Sequence, residues 1–293
     1  EVVHYNILEG LTKINVDGSV TPLLAESWSV EPDGKSYTFK LRKGIKFQDG
    51  EPFDAAAVKF SFERAKAEGS TNKAKKAVFD NIASVTAVDA HTVILTLNNA
   101  DGTMPFRMGE NTAVILSPKS AATTATKPVG TGPYTFDSWQ KGTAVTLIKW
   151  SGYRNAAAIP IQKVTFRFIN DPSAQVAALL AGDIDGMPRF GALQSLKQFQ
   201  GDKRFTVEIG DTAGKGIMTI NNKRKPLDDV RVRRALIHAI DRKAIVDSLW
   251  AGRTEVPRGL QWPYYDQMFI SDWEVPRFDQ AEARRLLREA NYR

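Results

Sequence analysis

The chain has 293 residues, of which 42% are hydrophobic and 25% charged, and its formal net charge at pH 7 is +7. This composition is typical of a folded globular protein with two or three compact units, and it argues against disorder. No apolar run approaches the roughly 18 uninterrupted residues that a membrane helix needs. The absence of cysteine excludes disulfides and thiolate chemistry, but it fits an oxidising compartment and the cytosol equally well.

The net positive charge does not indicate a nucleic-acid-binding protein. The 40 basic residues are interleaved along the chain with 33 acidic ones. Tight binding to phosphates requires lysines and arginines clustered on one surface. We therefore predict no nucleic-acid partner.

The stretch from Ala25 to Asp54 contains the clearest local pattern. Residues 36–42 alternate between apolar and polar side chains, which predicts a half-buried strand. Turn-forming residues precede this strand at 32–34, follow it at 43–44 and occur again at 48–50, which leaves 45–47 as a short second strand between turns. Asp54 follows in a position suited to capping a helix.

The remaining elements follow from the same two periodicities, of 2 for strands and 3.6 for helices. Aspartates mark the starts of the helices predicted at 54–66, 229–240 and 241–249, and Gly182 marks the end of the helix predicted at 172–181. Residues 211–215 contain a glycine and suit a hinge. Strands are predicted over 82–88, 92–97, 112–116, 134–139, 145–148 and 164–169, and another is entered at 182–185. Helices are predicted over 54–66, 172–181, 229–240, 241–249 and 276–292.

Three ordered groups of motifs carry a resemblance to a known family. They are Ala25-x-x-Trp28 with Leu41-Arg-Lys-Gly44 and Phe47-x-Asp-Gly-x-Pro-Phe53, then Gly130-Thr-Gly-Pro-Tyr134, then Pro226 to Leu236 with Ala239-Ile-Asp-Arg242. In this order they resemble the family 5 extracellular solute-binding proteins, the oligopeptide-, dipeptide- and nickel-binding receptors of ABC importers. One landmark departs from the family pattern, because residues 149–154 replace its usual Arg-Asn-Pro-x-Tyr-Trp.

The resemblance implies an α/β fold of the periplasmic-binding-protein-like II type, with mixed sheets flanked by helices. It implies a first lobe at 1–20 and 126–211, a small α+β subdomain inserted at 21–125, and a hinge with the start of a second lobe at 212–293. It also implies capture of a peptide or other small solute between two lobes, delivery to a membrane permease, and a periplasmic or extracellular location. Family members carry more chain before and after these segments. The resemblance also implies a monomeric native receptor. Because this chain carries less of the receptor than family members do, we expect it by itself to expose apolar surface, to self-associate or to hold ligand poorly.

The ligand-binding residues implied by the resemblance come from several segments. A ligand carboxylate or phosphate is expected to meet Arg189 and Lys215. Each candidate has a plainer alternative, in which the charges are ordinary surface groups, Phe190 belongs to the core and the 262–264 segment packs a loop. The candidates are Arg107, Met187, Arg189, Phe190, Thr212, Lys215, Met218, Trp262 and Tyr264.

The sequence contains no recognisable catalytic or metal-binding motif. The three histidines are not spaced as metal ligands, and the acidic pair at 182–185 lacks the other oxygen ligands of a calcium loop. Gly130-Thr-Gly132 fails as a dinucleotide fingerprint because Pro133 stands where a helix should begin. We predict a binding protein without a cofactor. A stand-alone interaction module and an enzyme without a known motif remain alternatives.

Overall fold

A computed structural model describes residues 2–210, 214–257, 259, 270, 272 and 274–292. The chain divides into two compact units, Glu1–Phe168 and Ile169–Arg293. Among the described residues, no helix combines the length and the apolar character needed to cross a membrane. The finer four-part division expected from the sequence stays a prediction.

A four-stranded antiparallel sheet organises the first unit. Its strand order is β3 (Ala25–Val30), β4 (Ser36–Leu41), β6 (Thr92–Leu97) and β5 (Ile82–Asp89). Tyr37, Phe39 and Leu41 of β4 are buried, while the alternate residues Ser36 and Lys40 keep contact with solvent. The alternation therefore places one face of this sheet in the core, as the pattern predicts.

Helix α1 (Ala55–Lys66) packs on this sheet. The Asp54 carboxylate accepts a hydrogen bond of 3.0 Å from the Ala57 N–H, so one free donor of the first turn is satisfied. Val58 and Phe62 lie on the buried side of the helix and belong to the same apolar cluster as the sheet. The predicted helix and its cap are confirmed.

Smaller elements complete the first unit. A hairpin pairs β1 (Thr12–Ile14) with β2 (Val20–Pro22), and a short helix α2 is formed by Met104–Arg107. A three-stranded antiparallel sheet has the order β7 (Tyr134–Gln140), β8 (Ala144–Lys149) and β9 (Lys163–Arg167). Its buried apolar side chains, Tyr134 and Leu147, form a second core with Ile7, Leu8 and Leu116.

The described part of the second unit is helical. Its helices are α3 (Pro172–Ala181), α4 (Leu196–Gln200), α5 (Val230–Ala239), α6 (Arg242–Leu249) and α7 (Gln280–Glu289). An aspartate side chain caps the first turn of each of the four longer helices. Helix α3 ends at Gly182, whose φ of 76° is a left-handed conformation that glycine adopts without strain.

Three strands predicted from the sequence are wrong. Residues 45–47, 112–116 and 182–185 form no ladder, apart from one isolated bridge between Lys46 and Pro52. An apolar run acquires strand structure only when another strand pairs with it, and neither alternation nor composition supplies that partner. The last helix is also shorter than predicted, because Asp279 caps it and residues 276–279 lie before its first turn.

Candidate ligand-binding site

The turn at residues 47–50, part of the Phe-x-Asp-Gly motif, joins separate stretches of the first unit. Gln48 Nε2 donates hydrogen bonds to the carbonyl oxygens of Gly132 and Tyr134, at 3.0 and 2.7 Å. The Gln48 backbone N–H donates to the Gly130 carbonyl at 2.9 Å. One glutamine thus holds the glycine-rich segment that leads into β7.

Asp49 in the same turn holds the segment that follows residue 116. Its Oδ2 atom accepts hydrogen bonds from the hydroxyl groups of Ser117 and Ser120, both at 2.6 Å. Partial burial by itself raises the pKa of the Asp49 carboxyl, but the hydrogen bonds from Ser117, Ser120 and the Glu51 N–H, together with the nearby charge of Lys119, leave the pKa below its usual value. The motif recognised in the sequence therefore has a structural role at this turn.

A surface pocket of about 400 Å³ lies beyond the C-terminal end of α1. Three stretches of chain line it: the end of the helix, the loop that follows, and a segment about 40 residues later. The lining residues are Ser61, Phe62, Arg64, Ala65, Ala67, Glu68, Gly69, Ser70, Thr71, Asn72, Asn111, Thr112, Val114 and Leu116.

Two side chains join the walls of this pocket. Ser61 Oγ donates to the Ala57 carbonyl at 2.8 Å and accepts from the Leu116 N–H at 2.9 Å. Asn72 Nδ2 donates to the Thr112 carbonyl at 2.8 Å. Helix, loop and later segment are therefore held by specific hydrogen bonds.

The pocket lining combines both signs of charge with neutral polar groups. Arg64 and Glu68 are exposed, and neither makes an ion pair within the described parts of the chain. Hydroxyl and amide groups come from Ser70, Thr71, Asn72, Asn111 and Thr112, while Val114 supplies partly exposed apolar surface and Phe62 and Leu116 are buried. The lining is therefore more polar than that of most small-molecule sites, which are predominantly apolar. This lining suits a small solute that carries both a carboxylate and an ammonium group.

Arg107 lies four residues before the pocket segment, at the end of α2. Its Nη1 is 3.4 Å from a Glu110 carboxylate oxygen, while its Nε is buried and makes no hydrogen bond with the described residues. Gly109 lies between Arg107 and the pocket segment, and the Tyr5 hydroxyl donates a hydrogen bond of 2.8 Å to its carbonyl oxygen. His4 stacks on Tyr5 at 3.8 Å, and burial lowers the pKa of His4. The proposed ligand contact of Arg107 stays a prediction.

The other predicted site residues belong to the second unit. Phe190 packs edge-on against Phe199 at 5.3 Å, an arrangement that matches its alternative role in the core. Met187 and Lys215 are partly buried, whereas Arg189 and Met218 are exposed, Met218 to 58%. The predicted residues Thr212, Trp262 and Tyr264, and most of the predicted hinge, lie outside the described residues.

Of the nine predicted site residues, the six that the structure describes lie outside the lining of the pocket beside α1. The only local signal for that pocket is the polar, turn-forming run after the helix, Glu68-Gly69-Ser70-Thr71-Asn72. Its opposite wall comes from residues 111–116, and no local pattern predicts that these two stretches meet. In the described part of the chain, no group of three or more His, Cys, Asp or Glu side chains could hold a metal ion.

Comparison with known proteins identifies the class to which the chain belongs. Residues 19–293 match the model of the bacterial extracellular solute-binding proteins, family 5. The chain belongs to this family. This confirms the resemblance seen in the sequence motifs.

Individual relatives agree with this assignment. The chain is 31% identical over 300 residues to the glutathione-binding protein GsiB of Salmonella paratyphi A, covering 100% of this chain and 57% of the relative. A dipeptide-binding protein from a Pseudoalteromonas species, solved with Met-Leu, matches 99% of this chain and 62% of its own length, with a TM-score of 0.86 and 25% identity. NikZ from Campylobacter jejuni, solved with Ni(L-His), matches 98% of this chain and 58% of its own length, with a TM-score of 0.85 and 26% identity.

These likenesses confirm the α/β fold of the periplasmic-binding-protein type. The chain spans little more than half the length of the relatives that it matches.

Proposed function

We propose that this chain is part of the solute-capturing component of an ABC importer. In this function it binds a small peptide or another amino-acid-derived solute and delivers it to a permease in the membrane. The observation that carries the proposal is the family match over residues 19–293. Relatives named or solved as binders of glutathione, a dipeptide or nickel–histidine support the same class of ligand.

The pocket beside α1 supports this ligand chemistry. A peptide presents a carboxylate and an ammonium group a few ångströms apart. Arg64 offers a guanidinium that can take a carboxylate through two parallel hydrogen bonds. Glu68 offers a carboxylate to an ammonium group, and the hydroxyl and amide groups of the lining can bind peptide N–H and C=O groups.

Capture requires modest energy and no covalent step. A micromolar dissociation constant corresponds to about 8 kcal/mol, which a few desolvated polar pairs and some apolar contact supply. Ligand favours whichever arrangement of the receptor makes more contacts with it, so binding alone shifts the population towards that state. The proposed role is therefore binding and not catalysis.

The partner and the location follow from the same role. We place the working protein outside the cytoplasmic membrane, in the periplasm or on the outer surface, with the permease as its protein partner. Arg107 is proposed as a second cation near the pocket segment. Arg189 and Lys215 are proposed as ligand contacts from the second unit, together with Met187, Phe190, Thr212, Met218, Trp262 and Tyr264.

Equilibrium binding to a peptide panel tests this function. Saturation-transfer NMR detects affinities as weak as millimolar, and it would be applied to the chain with glutathione, Met-Leu, Ser-Thr-Ser-Ala and, as a solute without amino-acid groups, glucose. At least one peptide should bind, and glucose should not. The proposal fails if every peptide gives the same null signal as glucose.

A matched pair of variants tests the assigned pocket. Arg64→Gln should weaken binding of the best peptide about tenfold, because a charge-assisted hydrogen bond is lost. Lys43→Gln removes the same charge from an exposed position outside the pocket and should leave the affinity unchanged. Equal affinities for the two variants would show that the peptide binds elsewhere.

A further inference from the structure

The helix pair α5 and α7, with the turn before α5, carries much of the positive charge of the chain. Residues 221–240 and 277–292 contain ten basic and five acidic side chains, a net charge of +5 out of +7 for all 293 residues. The two helices run antiparallel, since Arg231 Nη1 donates to the Glu289 carbonyl at one end and the Asp279 N–H donates to the His238 carbonyl at the other.

Four of the five acidic side chains are neutralised within this helix pair. Ion pairs join Asp229 to Arg231, Asp279 to Arg277, and both Glu282 and Glu289 to Arg285. Only Asp228 is left without a carboxylate ion pair among the described residues. The other basic side chains are Lys223, Arg224, Lys225, Arg233, Arg234, Arg284 and Arg288, and none of them makes an ion pair within the described ranges.

Helix geometry places three of these seven cations, Arg233, Arg284 and Arg288, on one side of the pair. Arg233 follows the buried Val232, and Arg284 follows the buried Ala283, so each is turned by about 100° from its buried neighbour. In an antiparallel pair, the same rotation on both helices leads to the same side. Arg288 is one turn after Arg284 and shares its face.

The turn before α5 joins the same side. Arg233 Nη1 donates to the carbonyl oxygens of Leu227 and Asp228, at 2.8 and 3.0 Å. These bonds attach the turn to the side of α5 that carries Arg233, and the turn begins with Lys223, Arg224 and Lys225, all exposed. We name this surface the basic face: Lys223, Arg224, Lys225, Arg233, Arg284 and Arg288.

We propose that the basic face binds the anionic headgroups of a phospholipid surface. The cations are spread over a turn and two helices, with Arg284 and Arg288 about 6 Å apart along the axis, which suits an extended charged surface better than a single small anion. The permease proposed as partner lies in a membrane, so the choice of a lipid surface as the extended anionic partner rests on the proposed function. Attraction to anionic lipid requires only unpaired cations near the surface.

Vesicle co-sedimentation tests this inference independently of solute binding. The chain would be mixed at about 50 mM salt with vesicles of phosphatidylcholine alone or with about 30% phosphatidylglycerol, and then at about 300 mM salt. It should bind only the anionic vesicles, and the higher salt should release it. No binding to anionic vesicles at low salt would overturn the proposal.

Two variants of equal net charge separate the basic face from charge in general. The first carries Lys223→Gln, Arg224→Gln, Arg284→Gln and Arg288→Gln; the control carries Lys13→Gln, Lys35→Gln, Lys43→Gln and Lys163→Gln, all exposed positions of the first unit. Each cation of the face contributes about fivefold in affinity, so the first variant should lose on the order of several hundredfold and the control little. Equal losses would overturn the proposal.

A smaller variant guards against damage to the helices. Lys223→Gln with Arg224→Gln changes only the turn and should still weaken vesicle binding by about twentyfold. Polyglutamate serves as a mimic of an acidic protein. If the chain binds polyglutamate but not anionic vesicles, the face recognises an acidic protein and the lipid proposal is wrong.

Discussion

Glu9 and Arg154 form a bidentate ion pair across 145 residues of sequence. Arg154 Nη1 donates to Glu9 Oε2 at 2.8 Å, and Nη2 donates to Oε1 at 2.7 Å. The Glu9 side chain is 2% exposed, and its Oε2 also accepts a hydrogen bond of 2.8 Å from the Thr131 hydroxyl. The pair ties the N-terminal stretch to the glycine-rich turn and to the loop after β8.

Removing the guanidinium from this pair should destabilise the protein strongly. Arg154→Gln leaves the buried Glu9 carboxylate without its counter-charge, so we expect a loss of about 3 kcal/mol in the free energy of unfolding. Urea unfolding at pH 7 measures it. The control Arg204→Gln breaks an exposed pair with Asp202 and should cost less than about 1 kcal/mol.

The double variant Glu9→Gln, Arg154→Gln completes this test. It removes both charges, so part of the lost stability should return. An unfolding midpoint for Arg154→Gln equal to that of the unchanged chain would contradict a stabilising role for the pair.

A methyl group at Gly130 should disrupt the first unit. A Cβ atom there would lie 2.1 Å from the Ile7 carbonyl oxygen, a contact that only movement of backbone can relieve. We expect Gly130→Ala to cost more than about 3 kcal/mol in urea unfolding. Gly102→Ala meets nothing within 4 Å and should stay within about 0.5 kcal/mol. If both variants unfold alike, the close approach at Gly130 is not as described.

Neutralising Asp49 should change the response of stability to acid. Its folded-state pKa lies below the ordinary value, so the ionised carboxylate stabilises the fold above about pH 4 and this contribution is lost as the pH falls through the folded-state pKa. Asp49→Asn should lower the free energy of unfolding by about 1–2 kcal/mol at pH 7. The difference between the variant and the unchanged chain should shrink at pH 3.

A control for this change is Asp33→Asn. Within the part of the chain that the structure describes, the Asp33 side chain accepts one exposed hydrogen bond, from the Lys35 N–H, so its replacement should alter stability little at either pH. A gap between Asp49→Asn and the unchanged chain that stays constant from pH 7 to pH 3 would refute the assigned role of Asp49.

Local patterns in the sequence predict the capped helices and the well-paired strands correctly. Asp54, Asp229 and Asp241 cap α1, α5 and α6, and the alternation in β4 gives its buried face. These features depend on residues two to four positions apart, so periodicity and capping chemistry suffice to find them. The predicted strand at 112–116 is wrong because its pairing depends on distant chain.

Residues 149–154 also show that local patterns miss contacts between distant parts of the chain. They depart from the family motif, yet Arg154 supplies the cation that neutralises the buried Glu9. Neither residue has a local signal for the other. Only the folded chain reveals that the position has a structural partner.

Composition, periodicity and ordered motifs were enough to predict the class of fold and the family, because each of them is written in short stretches of chain. The pocket beside α1, the Glu9–Arg154 pair and the basic face required the folded arrangement. Each of these joins side chains that are tens of residues apart or more. Their contacts depend on how the sheets and helices pack, and that packing is decided by the cooperative burial of apolar surface across the whole unit.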